Sequence, residues 1–586
     1  MNLRSVFVYL LLASVCHEKA FGQTEADIWV MGYYANNDPG YGIMFFEFID
    51  GELVISHDSK TYPWSLDGVN ASVCKPSGEL ALVTNGTKLY SYAYPAWSDT
   101  ICYGPYWELW QGDEDGFPAY DCGLILPIPG SQGEYSVIYT KYGTDTLVYS
   151  VGLMESRVRL NESAVPTILY ADSTYTEGPY SRRWGISSTR HANGRDWWVL
   201  QMDAHSKYYF RLLLDPDGLH YVGMDSTPIY YPFSESAKGG FSPSGAYFTR
   251  AEFDATGNTH NISLFAFDRC EGRLTFIDSF PYGQSIFVGN AFSPSERYLY
   301  GTEYNLLWQW DLYAADIKGS RILVDSNNFY TWPGWQPQSF GALVNGPDAK
   351  IYLIGGGGGS HTVSTIHRPD EPAENCRFYQ DDIILPIWTS HSPPNLPNFR
   401  LGPLDGSPCD TLGINNLPVA RWRWEIQDSS DLKKIRFTDL SYFRPEEWHW
   451  DFDDGITSDT SHPIHTFPGP GLYHVCLTVS NEYASDSICK WIEISDSITL
   501  VSDIKKEFSF RIQPNPFEDY IDILHEGNNY QWYDLKLTDL TGRPAVSTGM
   551  IIPGRLKLPS LPSGVYVIQL MQDQKPVWVS KIVKGE

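Results

Sequence analysis

The sequence predicts an all-β protein of several domains, and three observations carry that reading. Helical periodicity is hard to find in the 586 residues, whereas short Tyr, Val, Ile, Phe and Trp-rich runs alternate with Gly, Pro, Asn and Asp clusters, as strands alternate with turns. Aromatic residues form 15% of the chain, and half-buried strand faces are where such rings fit. A proline-containing turn leading into an alternating apolar strand recurs as CKPSGELALV from Cys74, FSPSGAYFTR from Phe241, FSPSERYLYG from Phe292 and NGPDAKIYLI from Asn345.

The first 22 residues read as a secretory signal: Arg4 gives a positive start, SVFVYLLLASVC is apolar, and Ala20-Phe21-Gly22 precedes the expected cut. The apolar run falls short of the roughly 20 residues that span a bilayer. Cys16 as a lipid-attachment site is the alternative, although Val15 before it is bulkier than that processing prefers. No later stretch reaches membrane-spanning length. The net charge of −28, from 42 Lys+Arg against 70 Asp+Glu, disfavours nucleic acid and anionic membranes as partners. Eight cysteines follow the signal, an even number that suggests disulfides in an exported chain. Cys476 with Cys489 is the expected pair, and Cys102–Cys122 and Cys376–Cys409 are weaker candidates.

Residues 25–400 carry the repeat. Weaker copies begin near Leu126 and His191, so successive starts lie about 50 to 65 residues apart, a blade-sized period. Proline presets φ for the turn, and blades arranged radially cover one another's faces. The expectation is a β-propeller of about seven blades. The FSPSG-Y pattern resembles the propeller repeats of the WD-like and lactonase-like superfamily, and the segment from Lys350 to LPNF resembles the closing portion of propellers in secreted Bacteroidetes proteins. Both resemblances concern fold.

A polar linker at 401–417 leads to WDFDDG at Trp450–Gly455. Trp448, Trp450 and Phe452 alternate with His449, Asp451 and Asp453, the pattern of a strand with rings inward, and Asp454-Gly455 makes the turn. An EF-hand register fails, because from Asp451 glycine arrives at the fifth position and His462 holds the twelfth. These carboxylates therefore read as a solvated rim, with adventitious calcium as the alternative. WDFDDG, Pro463–Phe467, Gly471-x-Tyr473-x-Val475 and Leu477-Thr478-Val479-x-Asn481 closely resemble the polycystic-kidney-disease (PKD) repeat over 418–496. The family usually has glycine where Asp453 stands. The resemblance implies an immunoglobulin-like β-sandwich that serves as a spacer or weak binding module.

After a second linker at 497–507, residues 508–586 carry Pro514-Asn515-Pro516-Phe517, a turn at Gly542-Arg543, then Gly564, Tyr566, Lys581 and Lys584. In this order they closely resemble the type A C-terminal sorting domain of the type IX secretion system. The resemblance implies a small C-terminal β-sandwich, export through the type IX machinery and a Bacteroidetes-type source.

The search for chemistry yields little. Ile354–Ser360 is glycine-rich but lacks the lysine and helix of a phosphate loop, so it reads as a hairpin. No HExxH or GxSxG occurs. Asp113, Glu114 and Asp115 beside Trp107 and Trp110 could supply paired carboxylates for glycoside chemistry, but a solvated loop explains the same residues more simply. Trp107, Trp110, Trp197 and Trp198 are the candidate ligand-binding aromatics, with core packing as the competing role. The sequence therefore points to an exported surface protein whose propeller displays a face for a glycan or protein ligand, with no cofactor. The alternatives are a propeller hydrolase or lyase acting on polysaccharide, and an architectural part of a surface layer.

Overall fold

The structure is a computed structural model. It describes residues 26–584 apart from 34–41, 59–65, 67, 95–96, 103–121, 145–147, 162–163, 178–182, 204–205, 230–237, 254–259, 284–288, 328–338, 357–359, 390–392, 429–430, 496–509, 514–516, 518–519, 526–530, 540–543, 553, 559–560, 562–563 and 573–574. The signal segment lies outside the described residues. The chain divides into two compact units, residues 1–425, 436–463 and 474–491 in one and the remainder in the other.

Seven consecutive antiparallel sheets occupy the described part of 26–389. Their first strands are Ile28–Tyr33, Ala71–Cys74, Gly123–Pro127, Arg183–Arg190, Lys238–Phe241, Asn290–Phe292 and Ser339–Asn345. Within each sheet the strands pair in chain order, and each first strand lies against the first strand of the next sheet. Trp29, Met31 and Phe46 of the first sheet share a core with Tyr352, Ile354 and Leu385 of the last, so the ring closes. This is a β-propeller, with the first strands around its centre.

Burial follows from that stacking. The second strand of the fourth sheet, Trp197–Asp203, buries six consecutive residues, because neighbouring sheets cover both its faces.

The repeated turns join first to second strands. Gly78, Gly194 and Gly245 have φ of 91°, 76° and 72°, and each donates its N–H three residues back, to Lys75, His191 and Ser242. Glu296 and Ala349 occupy the same place at φ 61° and 60°, again closing on residues three back, Ser293 and Gly346. The repeat thus encodes one backbone shape, with a left-handed fourth residue that suits glycine.

In the PKD-like region, Glu447–Asp451 pairs with Gly471–Ser480, setting Asp451 opposite Cys476. Trp422, Phe437, Trp450 and Phe452 fill its core, with Trp450 5.7 Å from Trp422 and 5.4 Å from Phe437. The C-terminal region is a second sandwich, with sheets of three and four strands around Phe517, Ile523, Leu537, Ile568 and Ile582.

Candidate functional site

The ring centre holds a piece of the chain itself. Pro393, Pro394 and Pro397 remove three N–H donors that a sheet ladder would need, and asparagine side chains supply much of the hold instead. Asn395 donates its side-chain amide to the carbonyls of Gly123 at 3.0 Å and Ile186 at 2.7 Å, and its backbone N–H to Asn70 at 2.8 Å. Asn398 donates to the Pro243 carbonyl at 2.7 Å. Arg400 donates to the Pro347 carbonyl at 3.2 Å, pairs with Asp27 and lies over the Tyr442 ring. Residues in or beside six of the seven sheets are thereby tied to three residues of this axial segment.

Its exit is fastened at the mouth formed by the proline-led turns. Arg269 donates to Gly402 at 2.6 Å and to Arg190 at 2.9 Å. Burial pushes its guanidinium down to about 10, still well above neutral pH, so it remains a charged donor. A Cβ at Gly194 would fall 2.6 Å from Pro403 Cδ, and one at Gly245 2.6 Å from Thr189 Oγ1. Cys270 and Cys409 then form a disulfide. This corrects the expected Cys376–Cys409 pair. Cys376 sits in a closed core beside Tyr300, where burial pushes its thiol up to about 11, whereas Cys270 follows Arg269 at the fastened exit.

Beside the axial segment lies a cavity of about 420 Å³, walled by residues that include Trp29, Ser188, Phe241, Asn290, Asn345 and Tyr442. That volume falls in the range of small-molecule sites. Among the described residues, the ionised side chains on its wall are Arg400, engaged as above, and Asp439, which accepts from Trp448 Nε1 at 2.7 Å and from the Ser441 N–H at 2.9 Å.

Trp107, Trp110 and Asp113–Asp115 lie outside the described residues. Trp197 and Trp198 are buried at 0% and 4% exposure. Trp197 packs on Phe399 of the axial segment at 5.3 Å, under the Arg190 guanidinium at 3.7 Å. Trp198 donates its indole N–H to the Arg269 carbonyl at 2.7 Å. Both rings therefore position the segment and its clamp from inside the core. The strands on either side of the glycine-rich run pair, with Ile354 opposite Val363, while 357–359 lie outside the described residues.

In the PKD-like region the aspartates act on their own turn. Asp451 accepts from the Asp453 N–H, Asp454 from the Ile456 N–H, and Asp453 from the His474 N–H. Asp453 has φ 63° and Gly455 84°, which explains why glycine is usual at the former. Asn481 is a hub, donating to Asn416 and Arg444 carbonyls and accepting from Tyr483 and Ala484. Tyr473 donates its hydroxyl to the Gly469 carbonyl at 3.0 Å, and Gly471 leaves room beside that ring. Cys476 and Cys489 are bonded as expected.

The first strand of this region is fastened to the ring at Arg423 and Glu425. Arg423 donates to the Asp348 and His367 carbonyls, and Glu425 pairs with Arg368 at 2.5 Å and Arg423 at 3.3 Å. Burial works to raise the Glu425 carboxyl, but those guanidinium groups outweigh it and hold the carboxyl below its ordinary range. Residues 401–417, expected as a linker, are held by the disulfide and by Asn416, which donates to Pro403 and Asp405.

In the C-terminal sandwich Phe517 is fully buried 6.5 Å from Tyr566, and Lys584 bridges to it with its Nζ 5.9 Å from the ring. Gly564 opens the strand Gly564–Gln572, and Lys581 stands opposite Val567. Pro514, Asn515, Pro516, Gly542 and Arg543 lie outside the described residues. Among the described residues no helix is long and apolar enough to cross a membrane.

Residues 415–494 match the PKD domain family, and residues 511–585 match the secretion system C-terminal sorting domain. No curated protein matches the chain. Among solved structures, the PKD1 domain of the Vibrio cholerae metalloprotease PrtV is similar at 26% identity, covering 14% of this chain and 98% of its own, with a TM-score of 0.13. A Lactobacillus plantarum protein is 12% identical over 62% of this chain and 98% of its own, with a TM-score of 0.35. A putative 6-phosphogluconolactonase from Bacteroides uniformis is 14% identical over 62% and 98%, with a TM-score of 0.34. Such low scores add nothing to the strand pairing that defines the ring. With its propeller, its PKD domain and its C-terminal sorting domain, the chain is a protein of the type IX secretion route, destined for the cell surface or the extracellular space.

Proposed function

We propose that the propeller is a surface-displayed binding module that receives a glycan or protein ligand at the mouth opposite the proline-led turns. The observation that carries this reading is the occupation of the turn-side mouth by Asn398–Leu404, which the Arg269 clamp and the Cys270–Cys409 disulfide hold. The cavity beside the segment lies on the turn side, walled by Ser242, Pro243 and Pro347, and so is separate from the proposed ligand mouth. Its two ionised groups are already committed, whereas glycoside cleavage needs two carboxyl groups about 5 to 10 Å apart. The PKD domain serves as a spacer.

Glycan and peptide arrays probed with the full chain, followed by hydrogen exchange with the captured ligand, test this. Protection is expected around Asn70, Gly123 and Ile186, where the first strands begin or run. Protection confined to Ser242–Gly245 and the matching turns, or capture of no ligand at all, overturns the reading.

A further inference from the structure

The outward face of the PKD domain gathers His474, Cys476 and Cys489, with one ligand atom from each within 4.8 Å of the others. The strand register explains this meeting. His474 and Cys476 are two apart on Gly471–Ser480 and so share a face, while the neighbouring Val475 and Leu477 are buried in the core. The disulfide sets Cys489 beside Cys476 on one side, and Asp451 stands opposite Cys476 on the other. The His474 ring rests on Trp491 at 4.5 Å, which fixes its position. Cys489 is exposed, so a solution reductant can reach the bond.

We propose that this face is a site for a zinc-like divalent cation that the Cys476–Cys489 disulfide keeps closed and a dithiol opens. Two electrons and two protons pass from the dithiol, which becomes a cyclic disulfide, to the protein disulfide, which becomes two thiols. The cation then displaces the two thiol protons to form two metal–sulfur bonds, and neutral His474 donates a nitrogen lone pair. Two thiolates and an imidazole suit zinc, with a fourth position open to solvent. In a newly exported chain, metal binding would compete with disulfide formation.

The full chain, reduced with a phosphine without oxygen and titrated with Co²⁺, reads the site directly through thiolate-to-cobalt charge-transfer absorption. The expected result is one such Co²⁺ per reduced chain, no band in the oxidised chain, and no band in C489S. His474→Ala, which leaves the disulfide intact, should weaken binding at least tenfold, while the C270S/C409S double variant should retain it. A band that persists in C489S, an unchanged affinity in H474A, or a reduced chain that keeps its β-sheet circular dichroism yet gives no band overturns the proposal. Should the reduced chain lose that dichroism instead, no folded site is left to open, and the proposal also fails.

Discussion

Glu296 stands where the preceding sheet's turn has Gly245, and its carboxylate accepts hydrogen bonds from Ser244 of that turn, from the N–H at 2.5 Å and from Oγ at 2.9 Å. A residue that departs from the repeat thus ties two adjacent blades together, at the expense of a left-handed backbone. Glu296→Ala keeps the backbone strain and loses the bonds, so it should lower stability by about 1 kcal/mol. Glu296→Gly loses the bonds but relieves the strain and should be near neutral. Urea midpoints of the two variants separate these effects.

Ala349 has the same left-handed backbone, with φ 60°. Ala349→Gly should therefore raise stability by about 0.5 to 1 kcal/mol, the relief of strain exceeding the entropy of the added glycine. A rise in unfolding midpoint at unchanged denaturant slope is the expected reading.

Gly194 tests the clamp on the axial segment. Gly194→Ala introduces a Cβ 2.6 Å from Pro403 Cδ at a residue with φ 76°. A loss of about 2 kcal/mol should follow, from overpacking and backbone strain together, seen as a lower thermal midpoint and faster hydrogen exchange at Leu404, whose N–H bonds Ala192.

Acid should loosen the fastening of the first PKD strand to the ring. The Glu425 carboxyl is held below its ordinary 4.5 in the folded chain, so the unfolded chain takes up its proton first as pH falls. Its stabilising contribution is complete above about 4.5 and is lost as pH descends through the lower folded value. Thermal midpoints measured from pH 7 to 3 should show that fall. Glu425→Gln should remove this part of the pH dependence and cost about 3 kcal/mol at neutral pH, because Arg368 and Arg423 lose their partner.

Non-reducing peptide mapping should recover Cys270 joined to Cys409 and Cys476 joined to Cys489. The first bond joins residues 139 positions apart, for which chain entropy predicts about 5 kcal/mol of stabilisation. The C270S/C409S double variant should unfold at correspondingly lower urea, while a Cys376–Cys409 peptide would contradict the fold.

Much of the architecture was legible because it is local. Proline-led turns and alternating strands are written within ten residues, and so is the Trp450–Phe452 alternation. What stayed hidden depends on distant partners. Nothing beside PPNLPNFR shows that Asn395 meets Gly123, 272 residues away, or that Cys409 meets Cys270. Trp197 and Trp198 read as core or as binding residues, core packing being the favoured role, and a single strand does not reveal that sheets cover both its faces.

The axial segment also bears on where this gene can be cut. A fragment ending before Pro393 contains every described strand of the ring but lacks its central pin, and a fragment beginning after Leu404 carries away Cys409 without its mate. The propeller takes its last stabilising residues from what looks like the start of the next domain, so an excision between the two leaves the ring without them.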